Sequence, residues 1–132
     1  MIFYLEYRND GQRLGLVGAR SARWLSRSVR RGELAALAAA RRQFGLARRR
    51  PQAVAAAIFP QGSPEVSWST VRAVVAVGNA LAFAWGVPAV GVNPTGLDED
   101  ALAKAIRTAV KRAEPEARLS ARYSGEPNIT VS

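Results

Sequence analysis

Hydrolysis or group transfer needs nucleophiles, general bases or converging metal ligands, and this 132-residue sequence offers few of them. It holds no cysteine and no histidine, which removes disulfides, thiol nucleophiles, imidazole bases and the usual zinc sites. Two-metal hydrolysis needs clustered carboxylates. Glu6, Glu33, Asp98 and Asp100 are the set on offer, and the last two are equally explained as acids at a helix start. Arginine, by contrast, is abundant. The chain carries 19 basic and 10 acidic residues, a net charge of +9. Residues 1–50 hold 12 basic and 3 acidic side chains, and residues 51–132 hold 7 of each, so the excess sits in the first 50 positions. Guanidinium groups bind phosphate in a bidentate manner. Arg23, Arg27, Arg30, Arg31, Arg41, Arg42, Arg48 and Arg49 are therefore candidate RNA contacts. The competing explanation is a solvated arginine-rich surface, since net charge informs association and not fold.

The elements that must position these groups are legible in order. Ile2 to Tyr7 has strand composition, and Asn9-Asp10-Gly11 signals a tight turn into a second strand, Arg13 to Val17. Arg23 to Val29 is a third, with Trp24 on one face and Leu25 and Val29 on the other; its arginines suit a sheet edge. Arg31 to Leu46 shifts to helical period, with Leu34, Leu37, Ala38, Arg41 and Phe44 on one face. Ala53 to Phe59 is continuously apolar, as a central parallel strand would be. Thr95 is a candidate cap for a last helix running to about Ala113, with Asp98 at the reciprocal position. Arg118 to Tyr123 is a candidate final strand. The order β-β-β-α-β-α-β-α predicts one five-stranded mixed sheet, 3-2-1-4-5, with right-handed crossovers and helices covering it.

Ser67 to Val92 is the stretch the rest is organised around. Between Val71 and Val92 only Arg72 and Asn79 are strongly polar. Ser67, Ser69 and Thr70 are able to cap the start of a helix, Gly86 stops it, and Pro88 forbids continuation. A helix apolar all round must be covered on both sides. One side is expected on the sheet and the other against a second helix, with part of the cover supplied by another protein or a second copy of the chain. The run is long enough to span a membrane, but Asn79, the Gly-x-Pro break and the many alanines argue against it. With no basic leader segment before the first strand, the expected location is cytoplasmic.

Ala55 to Val92 resembles the TsaB (YeaZ) family of tRNA-modification proteins. That family has a strand, a GPGSFTGLRIG loop-helix motif, an alanine-rich helix and a GIPVVGV-like strand. Here the motif region reads Pro64-Glu65-Val66-Ser67-Trp68-Ser69-Thr70-Val71-Arg72-Ala73-Val74, and Tyr123 to Thr130 is similar to the family's EPNIT-type ending. The resemblance implies an α/β fold: a single actin-like/Hsp70-like ATPase (RNase H-like) lobe over residues 1–113, with residues 114–132 as a C-terminal strand and tail. Four motif glycines are replaced, by Pro64, Val66, Thr70 and Val74. Glycine lets backbone N–H groups approach a phosphate, and these replacements block that approach. The resemblance thus implies a non-catalytic scaffold without cofactor, metal or catalytic residues of its own. It would pair with a TsaD-like subunit in threonylcarbamoyladenosine formation, with tRNA contacted within the complex. Leu34, Leu37, Phe44, Val74, Val77, Gly78 and Leu81 are the candidates for core and partner interface together.

Two other functions compete. A standalone basic RNA-binding protein would use the arginine-rich N-terminal half and lose affinity steeply with salt. An RNase H-like nuclease would need its carboxylates to converge on metal, with Glu6 central.

Overall fold

The computed structural model describes residues 1–28, 38, 40–45, 50–60 and 62–120. The chain opens with strands β1 (Ile2–Arg8), β2 (Gly11–Val17) and β3 (Ala22–Ser28). Asn9-Asp10 turns β1 into β2, pairing Ile2 with Val17 and Arg8 with Gly11. Strands β4 (Ala53–Ala57) and β5 (Ala89–Val92) then extend the sheet in parallel on the other side of β1. The order β3-β2-β1-β4-β5 is the one the sequence predicts. Every residue of β4 is buried, as its unbroken apolar run requires.

The sheet is the middle of three layers. Helix α1 (Trp68–Trp85) and a π-helical turn, Arg41–Gly45, cover the face that carries Phe3, Leu5 and Tyr7. Helix α2 (Glu99–Lys111) covers the face that carries Ile2 and Tyr4. This split follows from the two-residue period of β1, which sends successive side chains to opposite layers. Phe3, Phe44 and Trp85 form an edge-to-face aromatic triangle, with ring centroids 5.3 to 6.1 Å apart, at the amino end of β1.

Helix α1 has the predicted ends. The Ser67 side chain accepts from Thr70 N at 3.3 Å. Gly86 adopts φ 68°, a left-handed turn that a residue with Cβ resists, and Val87 N returns to Ala82 O. The helix buries Val71, Val74, Val75, Val77, Gly78, Leu81 and Ala82. Its outer side differs from expectation. Arg72, Ala76, Ala80, Phe83 and Ala84 are exposed, Phe83 by 79%, so no second helix covers that side among the described residues. Three alanines present little apolar area, which keeps the cost of exposure low.

Asn79 also has a specific role. Its amide brackets the backbone of Leu119, donating from Nδ2 to Leu119 O at 3.0 Å and accepting from Leu119 N at 2.7 Å. The Leu119 side chain fills the notch over Gly78, where a Cβ would meet it at 2.6 Å. The candidate strand Arg118 to Tyr123 is not found in the described part: Ala117 O accepts from Ala89 N, and the following residues run without strand pairing to Ser120. Residues from Ala121 onward lie outside the described residues.

Two further expectations need correction. Thr95 does not cap α2. Gly96, at φ 76°, turns the chain first, and Asp98 is the cap, its Oδ1 accepting from Ala101 N at 2.8 Å. Ala38 and Arg41 do not share the buried face with Phe44; both are exposed, while Ala40 and Phe44 are buried. The widened π-helical turn shifts the phase that a 3.6-residue period predicts.

Candidate nucleic-acid interface

The parallel strands give the sheet two unlike ends. At the carboxyl end of β1 lies the acidic residue singled out for chemistry. Glu6 is 2% exposed. Tyr4 Oη donates to its Oε1 at 2.6 Å, Arg13 Nη2 to the same oxygen at 2.7 Å, and Arg8 Nε to Oε2 at 2.7 Å. Arg13 also approaches Glu99 at 3.7 Å and stacks over Trp24, while Arg8 stacks over Phe59. Trp24 lies flat on β2 because position 15 is glycine; a Cβ there would meet the indole at 2.6 Å. Burial pushes the Glu6 carboxyl up, but the hydrogen bonds from Tyr4, Arg13 and Arg8 outweigh it and hold it below its ordinary range. Burial, with the Glu6 charge beside it, pushes the Tyr4 phenol far above its usual value.

Among the described residues, no carboxylate cluster is left open to a catalytic metal. Both Glu6 oxygens are engaged by cationic donors, and the Asp98 carboxylate is engaged as a helix cap. Among the described residues no three acidic side chains come together. Glu33 lies outside the described residues, and Asp100 is exposed on the first turn of α2. The adjoining loop is closed as well. Asn9 Oδ1 accepts from Ser67 N and Thr70 Oγ1, both at 2.9 Å, and Asn9 N donates to Glu65 O. The Ser67 amide, which a phosphate-binding loop would offer, is thereby engaged.

The amino end of the parallel strands is built differently. Three guanidinium groups there are held by backbone carbonyls. Arg50 Nη1 donates to Trp85 O at 2.8 Å, Arg107 Nε to Gly18 O at 2.7 Å, and Arg118 Nη1 to Val87 O at 3.1 Å. A carbonyl orients a guanidinium without cancelling its charge. Arg20, Arg23, Lys111 and Arg112 are exposed at the same end, and Phe44 against Trp85 brings exposed Arg41 and Arg42 to it. The acids described in this region are Glu114 and Glu116. The described salt bridges, by contrast, all involve Glu6 or Glu99 at the carboxyl end.

Of the predicted RNA contacts, Arg23, Arg41 and Arg42 are thus exposed at the amino end. Arg27 lies on β3 opposite Arg13. Arg30, Arg31, Arg48 and Arg49 lie outside the described residues. Sequence reasoning missed Arg50, Arg107, Lys111, Arg112 and Arg118. A charge count by halves hid them, because the last four sit in a half whose total is neutral and are gathered only by the fold. Of the predicted interface residues, Phe44, Val74, Val77, Gly78 and Leu81 are buried in the chain's own core. Leu34 and Leu37 lie outside the described residues.

No protein-family model matches the chain, and no curated protein matches it in sequence. Among solved structures it is similar to Thermus thermophilus RuvC. RuvC in complex with Holliday junction substrate matches at 20% identity and a TM-score of 0.46, over 86% of this chain and 80% of that one. A second RuvC structure matches at 19% identity and a TM-score of 0.43, over 86% and 82%. These likenesses transfer no residue roles. They do overturn the resemblance to TsaB, since the matching structures are RuvC and no family model supports TsaB. The scaffold role beside a TsaD-like subunit and the tRNA-modification assignment fall with it. So does the reading of the chain as a non-catalytic pseudo-ATPase lobe, which rested on that resemblance. Among the described residues no helix is long and apolar enough to cross a membrane.

Proposed function

We propose that this chain is a nucleic-acid-binding domain with an RNase H-like sheet, whose binding surface is the basic amino end of the parallel strands. An antiparallel meander extended by two parallel strands, with helices on both faces, supports the fold assignment. One observation carries the function: Arg50, Arg107 and Arg118 are fixed by carbonyl oxygens and so present oriented, uncancelled positive charge. Phosphate diesters are the ligands such a surface selects, because the guanidinium fork matches two phosphate oxygens.

Fluorescence anisotropy with labelled RNA, duplex DNA and a four-way DNA junction, across a salt series, tests the proposal. Affinity is expected to fall linearly on logarithmic axes, with a slope of about −0.9 per duplex phosphate contacted. Replacing Lys111, Arg112 and Arg118 together by alanine is expected to flatten that slope. Absent binding, or binding indifferent to salt, would overturn the proposal.

A further inference from the structure

Phe83 is 79% exposed, more than any other large apolar side chain among the described residues. It stands on the last turn of α1, at the basic end of the molecule, with Ala80 and Ala84 exposed beside it. A single ring in water is common on protein surfaces. What distinguishes this one is the charge next to it. Phe83 O accepts from Gly86 N at 3.2 Å, so Phe83 belongs to the tight turn by which the chain leaves the helix. Arg50 Nη1 donates to Trp85 O in that turn and lies 3.3 Å from where a Cβ on Gly86 would stand. Arg118 Nη1 donates to Val87 O, just beyond. Two guanidinium groups from distant segments thus grip the turn that carries the ring. A protein partner fits less well. One ring among alanines offers much less apolar area than the about 800 Å² per partner that a stable interface buries. A second copy would bring its own net charge of +9 to the contact.

We infer that Phe83 is a stacking platform for one unpaired base, with the flanking phosphates on Arg50 and Arg118. The inference rests on the nucleic-acid reading above and narrows it to strands with unpaired bases. An aromatic face receives any base, because every base has a π-face, and neighbouring cations hold the backbone that carries it. A base within a duplex is already stacked and must leave its neighbours to reach the ring. The ring therefore adds affinity for single strands alone.

The test measures binding of the full chain and its Phe83 variants to a single-stranded DNA oligonucleotide. The comparison ligand is a duplex of half its length, which carries close to the same number of phosphates. Phe83→Ala is expected to weaken single-strand binding roughly tenfold, as the loss of one stacked base implies, and to leave duplex affinity unchanged. Phe83→Trp is expected to keep single-strand affinity. Phe83→Leu retains apolar area without a flat face and is expected to behave like alanine. The side chain lies in water, so the thermal midpoints of all three variants should match that of the unaltered chain. Single-strand binding indifferent to Phe83→Ala, an equal loss on both ligands, or full rescue by leucine overturns the inference and leaves the proposed function standing. So does a change of oligomeric state in Phe83→Ala, measured by light scattering, which would assign the ring to a contact between copies. No binding of either ligand by the unaltered chain overturns both.

Discussion

The two ends of the sheet use the same residue type for opposite purposes. At the carboxyl end, Arg8 and Arg13 converge on one buried glutamate and stack on Phe59 and Trp24. Their charge is consumed internally. At the amino end, Arg50, Arg107 and Arg118 lean on carbonyl oxygens, and their charge remains available. Both helices run from the first end to the second, because each begins after a parallel strand or its following loop. Their negative dipole ends therefore gather at the amino end, which favours cations there. An arginine's function thus follows from what accepts its hydrogen bonds more than from its position in the sequence.

Substitutions sharpen this contrast in descending order of effect. Glu6→Ala leaves Arg8 and Arg13 without their buried counter-charge and is expected to cost about 3–5 kcal/mol in urea unfolding. A loss under about 1 kcal/mol would show that the carboxyl end is not held by its ion pairs. Asn9→Ala removes the acceptor for Ser67 N and Thr70 Oγ1 and is expected to cost about 1–3 kcal/mol. Asp98→Ala removes a helix cap, worth about 1 kcal/mol. At the other end, Lys111→Ala and Arg112→Ala should change stability by no more than about 0.5 kcal/mol while weakening nucleic-acid binding. If they instead destabilise like Glu6→Ala, the distinction between the two ends fails.

Acidification separates the ends as well. The Glu6 carboxyl is held below its unfolded value, so its contribution is complete above the ordinary glutamate range. That contribution is lost as pH falls through the lowered folded value. Unfolding midpoints should drop with acid in the native chain, and Glu6→Gln should flatten that drop. An unchanged pH profile in the variant would assign the acid sensitivity elsewhere.

The sheet was legible because its signals are local. The β1–β2 turn, the unbroken AVAAA of β4 and the Ser67 and Gly86 caps each state their own geometry. Helix α2 began later than predicted because Asp98 and Thr95 are both competent caps, and only the turn at Gly96 decides between them. The closed state of Glu6 could not be read from composition. Pairing it with Arg13 needs the hairpin register, which sets Glu6 opposite Arg13. The basic amino end was legible only in part, since Arg23, Arg50, Arg107 and Arg118 come from four separate segments. The second helix expected on the outer face of α1 is not found among the described residues, because Ala76, Ala80 and Ala84 count as apolar in a helical wheel yet tolerate water.

The bracket that Asn79 places around Leu119 has a consequence for biosynthesis. A side-chain amide in the middle of the chain imitates a neighbouring strand, and what it waits for is made forty residues later. During translation the notch over Gly78 stays vacant until Leu119 leaves the ribosome. Nascent chains arrested before that point should be cut readily by protease, and those arrested well beyond it should resist.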